Sequence, residues 1–184
     1  LAEKIFLNAP ELDESVTSFS VVRFGNVFGS AGSVVELFYN LIKENKPVSV
    51  SDKSACRYFM STQQACRLIL NSVEIAQGQE IFILKMSNVN ILNLAKRISH
   101  YIHGNEDIKW TEYGLSSGEK LSEILMTEEE KSRCFESGDF YILRHVSNHP
   151  HHREKLEKSN VEFVPERLME NSEIDSLILE WVNK

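Results

Sequence analysis

The sequence predicts an α/β fold, a doubly wound sheet carrying a small ligand-covering subdomain, and three features point to it. Short apolar runs alternate with segments of helical period along the chain. The run Val21-Val22-Arg23-Phe24 feeds a glycine-punctuated loop that opens a helix. Glu80-Ile81-Phe82-Ile83-Leu84 has consecutive apolar residues, as a strand covered on both faces does.

The elements follow in order. Leu1, Ile5 and Phe6 share one helical face ahead of an Asn8-Ala9-Pro10 stop, so the chain opens like the second half of a helix and a longer protein is expected on its N-terminal side. A strand is expected over 18–24, a helix over 33–44 on Val35, Leu37, Phe38, Leu41 and Ile42, and a strand over 48–50, followed by a polar loop. Ser61 and Gln64 have capping-box spacing before a helix on Ala65, Leu68, Ile69 and Val73. Asn90 caps a helix carrying Leu92, Leu94, Ala95, Ile98 and Ile102 that ends at His103-Gly104. A strand over 108–111, a short helix over 118–126, a second capping box at Thr127 and Glu130, and a strand over 140–146 complete a body spanning 1–146. Residues 147–184 form an unassigned tail that closes in an acidic helix on Ile174, Leu177, Ile178, Trp181 and Val182.

With 184 residues, 42% of them hydrophobic, the chain can bury one sizeable core. A net charge of −7 argues against a nucleic-acid or anionic-membrane surface, which would need a basic patch. No apolar run approaches the roughly 20 residues that span a bilayer, and no signal-peptide pattern opens the chain, so a cytoplasmic protein without membrane contact is expected. Cys56, Cys66 and Cys134 are too irregularly spaced for a disulfide framework and are expected reduced. His145, His149, His151 and His152 cluster near Pro150 without metal-ligand spacing, so no metal site is expected. Glu128, Glu129 and Glu130 suit the first turn of a helix, where acids complement the dipole.

Residues 21–34 have the design of a phosphate cradle. Gly25, Gly29 and Gly32 let backbone approach a ligand, Ser30 and Ser33 can cap the helix, and its first amides favour an anion. A plain strand-to-helix turn uses the same residues. The spacing is not that of Gly-x-Gly-x-x-Gly, so the dinucleotide fingerprint is not in this chain. Arg57, in Cys56-Arg57-Tyr58-Phe59-Met60, is either a planar fork for a pyrophosphate or a surface arginine on a loop. Glu119, at the start of the expected 118–126 helix, either accepts ribose hydroxyls or complements the helix dipole. No serine, cysteine or lysine nucleophile stands out, and no catalytic residue is assigned.

Together, residues 22–30, Gly32-Ser33-Val34, Arg57-Tyr58-Phe59-Met60, Glu80-Ile81-Phe82 and Gly118-Glu119-Lys120-Leu121 resemble, in order and spacing, the C-terminal half of the CapD-like polysaccharide biosynthesis proteins. These are extended short-chain dehydrogenase/reductases with a Rossmann-like NAD(P)-binding domain and an interleaved nucleotide-sugar-binding subdomain. The resemblance covers 1–146 and implies that Asn26 contacts a nucleotide-sugar diphosphate, that Gly32, Ser33 and Val34 line the UDP pocket, and that Ser49, with Val48 and Val50, runs beside the uracil. It assigns Arg57 to the pyrophosphate, Glu119 to the ribose, and Arg23, Phe24 and Gly25 to cofactor contacts. Leu1-Ala2-Glu3-Lys4 resembles the residues after the family's catalytic lysine, which places the cofactor fingerprint and catalytic groups upstream.

The activity so implied is a UDP-N-acetylglucosamine 4,6-dehydratase. Tightly bound NAD(P) takes a hydride from C4, water leaves across C5 and C6, and the hydride returns to C6. The alternatives are a UDP-sugar 4-epimerase and, from another class, a non-catalytic nucleotide-sugar-binding or interaction module. One departure is Ser116-Ser117-Gly118-Glu119-Lys120 where the family has Arg-Pro-Gly-Glu-Lys. Losing a charged hydrogen bond of that kind costs about 1.5–3 kcal/mol, roughly ten- to a hundred-fold in affinity, unless Lys120 or Arg23 substitutes. An exposed strand edge near Val21 and Val22 would also make the chain self-associate, so a homo-oligomer is a further expectation.

Overall fold

The computed structural model describes residues 2–12, 17–144 and 167–183. The chain divides into two units, each assembled from three stretches: Leu1–Phe24, Gln63–Lys85 and Ile124–Val164 in one, and Gly25–Thr62, Met86–Glu123 and Pro165–Lys184 in the other.

The first unit is a mixed four-stranded sheet in the order β1-β5-β9-β8, built from β1 (Val21–Arg23), β5 (Glu80–Leu84), β8 (Cys134–Ser137) and β9 (Phe140–Arg144). Within this sheet β1 and β5 run parallel, while β5–β9 and β9–β8 are antiparallel, so the part of the sheet carried by the described residues is mixed. All five residues of β5 are buried, as their consecutive apolar character requires. Ile81 and Ile83 lie opposite Leu143 and Tyr141 and share a core with Leu7, Met126 and Cys134. On the other face Phe82 meets Phe140 edge-on. Burial also pushes the Cys134 thiol up to about 11.

Helix α1 (Ala2–Leu12) runs through the expected stop at Pro10; Leu7 is buried, while Ile5 and Phe6 are exposed. Helix α3 (Thr62–Ile75) buries Ala65 and Leu68 as expected, but Ile69 and Val73 point outward. The capping box of α5 (Glu128–Lys131) forms in both directions, Thr127 Oγ accepting from the Glu130 amide at 3.2 Å and Glu130 accepting from the Thr127 amide at 2.8 Å. The hairpin β8–β9 turns at Gly138-Asp139, with Gly138 at φ 55°.

The second unit packs three helices into one core: α2 (Val34–Lys43), α4 (Ile91–His103) and α6 (Asn171–Val182). Val35, Phe38 and Ile42 meet Leu94, Ala95 and Ile98, with Ile174 and Ile178 fully buried beside them. Asn90 caps α4 by accepting the Asn93 amide at 2.9 Å, and Gly104 ends it in the left-handed conformation. Arg97 of α4 grips Asp175 of α6 through two nitrogens, at 2.8 and 2.5 Å, and reaches Glu106 at 2.7 Å. Against this core lie a three-stranded sheet, β2 (Asn26–Val27), β4 (Cys56–Met60) and β6 (Asn88–Asn90), and a parallel pair, β3 (Val48–Val50) with β7 (Trp110–Glu112).

Two expectations fail here. The segment around Arg57 is strand β4 rather than a loop, and 118–126 is not a helix. Gly118 adopts φ +86°, and the Leu121 carbonyl accepts the Cys56 amide at 2.8 Å, so this backbone is drawn to the edge of β4. The tail helix α6 belongs to the core of the second unit. Truncating its fully buried Ile178 to Ala should therefore destabilise the chain by about 2–5 kcal/mol, read as a lower urea midpoint at constant m-value. A change within about 0.5 kcal/mol would contradict the core described.

Candidate functional site

A cleft of about 420 Å³ opens in the second unit, and it gathers all seven residues assigned to substrate: Asn26, Gly32, Ser33, Val34, Ser49, Arg57 and Glu119. Each arrives by local structure. Asn26 is carried by β2 and donates its amide to the Tyr58 carbonyl at 3.2 Å. Gly32, Ser33 and Val34 form the entry to α2, Ser49 comes from β3, and Arg57 comes from β4, where alternation puts it on the same side as Phe59, also in the lining.

The three glycines of the loop prove to do different things. A Cβ at Gly29 would fall 2.0 Å from Cδ1 of Trp181, and one at Gly25 would fall 2.8 Å from Met86 Sδ and 2.9 Å from the Tyr58 carbonyl oxygen. Those two glycines serve packing within the unit. Gly32, at φ +73° with nothing within 4 Å of the Cβ position, is the one that faces open space. Its amide donates to Glu36 at 2.8 Å.

Ser33 is the N-cap of α2 by backbone geometry, yet its hydroxyl makes no cap bond. Ser33 Oγ is buried without a hydrogen-bond partner. An unmet buried hydroxyl is costly, and here it stands where the first-turn amides of a ten-residue helix have no intrahelical acceptor. A ligand oxygen in the cleft would satisfy both.

Arg57 is the cationic residue among those lining the cleft. Its Nη1 donates to the Cys56 and Leu121 carbonyls at 2.8 and 3.2 Å, its Nη2 to Glu119 Oε1 at 3.1 Å, and its Nε lies 3.6 Å from Glu123. Glu119 is held by the Ser51 hydroxyl, by the Ser116 amide at 3.1 Å and by Arg57. The Ser51 hydrogen bond first, then that amide and the Arg57 charge, hold its carboxyl below the usual range. Ser116 therefore positions Glu119 through its backbone, whatever its side chain lacks. Ser51 and Tyr113 also line the cleft and were not expected there. For Ser51 the signal was its position: it follows directly on β3, whose Ser49 was already assigned to the cleft.

Arg23, Phe24 and Gly25 do not line the cleft. In the first unit, Arg23 donates to both oxygens of Glu3 at 2.9 and 2.8 Å and to Glu130 at 3.2 and 2.9 Å, and also reaches the Leu125 carbonyl. That guanidinium is committed to two carboxylates. Gly25 is closed in by Met86 and Tyr58, and Phe24 is exposed. His145, His149, His151 and His152 lie outside the described residues.

A family model described as polysaccharide biosynthesis protein matches residues 1–145. The chain belongs to this family. It is 42% identical over 132 residues to the capsular polysaccharide biosynthesis protein CapD of Staphylococcus aureus, covering 71% of this chain and 22% of that protein. It is 32% identical over 148 residues to the UDP-N-acetylglucosamine 4,6-dehydratase (inverting) of Campylobacter jejuni, covering 77% of this chain and 41% of that enzyme. The X-ray structure of Pen from Bacillus thuringiensis superimposes with a TM-score of 0.82 at 36% identity, over 98% of this chain and 55% of that one. The family member thus spans well under two thirds of these relatives, and its α/β fold resembles part of extended short-chain dehydrogenase/reductase structures. No helix among the described residues is long and apolar enough to cross a membrane.

Removing the Ser51 hydroxyl should raise the Glu119 titration midpoint toward the ordinary carboxylate value. Carboxyl-detected NMR titration of Ser51→Ala against the unaltered chain reads this directly, and an unchanged midpoint would contradict the positioning described.

Proposed function

We propose that this chain binds the nucleotide part of a UDP-sugar in the cleft of its second unit and serves as the substrate-binding half of a polysaccharide biosynthesis enzyme, of the UDP-N-acetylglucosamine 4,6-dehydratase type. The observation that carries the reading is the pairing of opposite chemistries in one cleft. Arg57 donates hydrogen bonds and Glu119 accepts them, 3.1 Å apart, with the open Gly32 backbone and the unmet Ser33 hydroxyl also in the lining. A nucleoside diphosphate matches each part. Its phosphate oxygens accept from Arg57, Ser33 and the α2 amides, and its ribose hydroxyls donate to Glu119. Ligand-free, the two charges satisfy each other. On binding, each exchanges its partner for a ligand group of the right polarity, so no charge is left unpaired.

The family relationship supports the substrate class, because one relative is named for its action on UDP-N-acetylglucosamine. NAD(P) supplies the hydride step in this type of reaction. The part proposed for this chain is binding and orientation of the sugar nucleotide.

Calorimetric titration with UDP and UDP-N-acetylglucosamine tests the proposal. Saturable binding is expected, with Arg57→Ala weakening it about ten- to a hundred-fold. Glu119→Gln should weaken UDP but leave 2′,3′-dideoxy-UDP almost unaffected. A folded chain that binds neither nucleotide, or binds both regardless of Arg57, would overturn the reading.

A further inference from the structure

Phe38, Phe59 and Tyr113 all line the cleft, but the two phenylalanines are buried in the core of the unit whereas Tyr113 is 63% exposed. A single exposed tyrosine is ordinary, so its place is what carries weight. The Tyr113 amide donates to the Val50 carbonyl at 3.1 Å, which fixes its backbone against the end of β3. The next residue, Gly114, turns the chain at φ +87° with nothing within 4 Å of its Cβ position, so the space beside Tyr113 is open.

Glu119 accepts from Arg57 at Oε1 and from the Ser116 amide at Oε2. Its carboxylate therefore stands between the guanidinium and the 113–118 loop that Tyr113 begins. Ser51, whose hydroxyl also holds Glu119, directly follows the Val50 to which Tyr113 is tied. The cleft thus runs from Arg57 through Glu119 to Tyr113. A nucleoside diphosphate has the same order of parts. With phosphate oxygens on Arg57 and ribose hydroxyls on Glu119, the base joined to that ribose falls on the Tyr113 side, and a sugar beyond the second phosphate falls on the other. At the Tyr113 end the Ser49 hydroxyl is hydrogen-bonded to Thr111 at 3.0 Å and the Ser51 hydroxyl to Glu119, which leaves the tyrosine ring as the large side-chain surface open to a ligand.

We propose that Tyr113 is the nucleobase platform of the cleft, its ring stacking on the face of the uracil. This inference rests on the reading of the cleft as a UDP-sugar site. It adds that the base is held by its conjugated face, since an aromatic ring stacks well on a flat base and poorly on a puckered, saturated one.

Calorimetry of the full chain with UDP and with 5,6-dihydro-UDP is the test, because the dihydro analogue keeps the two oxygens and the N–H of the uracil edge but loses its planar conjugated ring. The unaltered chain is expected to bind UDP about tenfold more tightly than the analogue. Tyr113→Ala should remove that advantage by weakening UDP alone, and Tyr113→Phe should keep it. Bound to the unaltered chain, the uracil ring protons should move upfield in the NMR spectrum, and in Tyr113→Ala they should not. The side chain is exposed, so both variants keep the melting temperature of the unaltered chain. UDP affinity indifferent to Tyr113→Ala, or an equal loss for UDP and the analogue, would overturn the platform and leave the UDP-sugar reading standing. So would a loss confined to UDP-N-acetylglucosamine, as stacking of the sugar would give. A folded chain that binds no UDP would overturn both.

Discussion

The indole of Trp181 occupies the space that any side chain at position 29 would need. That one exclusion ties the tail helix to the loop between β2 and α2. Trp181 lies edge-on to Tyr39 of α2, with ring centroids 5.2 Å apart, and α6 is clamped to α4 through Asp175 and Arg97. The first turn of α2 is consequently set in place from behind by two helices rather than left on a free loop. In the proposed site the α2 entry acts through backbone amides and one short hydroxyl, and it needs that support because, unlike Arg57 and Glu119, it has no side-chain reach with which to correct an error of position.

Within the proposed site, the Arg57–Glu119 pair would serve recognition more than stability. Arg57 and Glu119 are both partly exposed, and solvent weakens what such a pair contributes to folding. Their value lies in preorganisation. Two backbone carbonyls fix the guanidinium, and Ser51 with the Ser116 amide fixes the carboxylate, before any ligand arrives. The network around Arg23 in the first unit is the contrasting case. There the guanidinium makes four hydrogen bonds to two carboxylates, where Arg57 makes one to Glu119, and it is a structural tie between α1, β1 and the start of α5.

Much of this was legible in the sequence, for reasons that differ by element. The caps at Asn90, Thr127 and Gly104 and the buried run of β5 act locally, so short-range pattern suffices to find them. The seven residues that resemblance assigned to substrate lie apart in the chain, and the structure brings them to one cleft. The role of Gly29 was not readable, because its neighbour Trp181 is far away in the chain. Nor was strand β4, since Arg57 interrupts its apolar run and its pairing with β2 and β6 is set by distant segments. The 118–126 segment misled because its helical period was real, whereas its hydrogen bonds go to Cys56. Hairpin β8–β9 carried a Gly138-Asp139 turn signal that a stricter turn reading would have used.

The most direct test of the central claim is an amide NMR titration of the isotope-labelled chain with UDP-N-acetylglucosamine. The account predicts saturable shifts at Gly32, Ser33, Val34, Ser51 and Glu119, with Ile81, Phe82 and Ile83 of the other unit unmoved. Shifts confined to the first unit, or none at all in a folded chain, would contradict it.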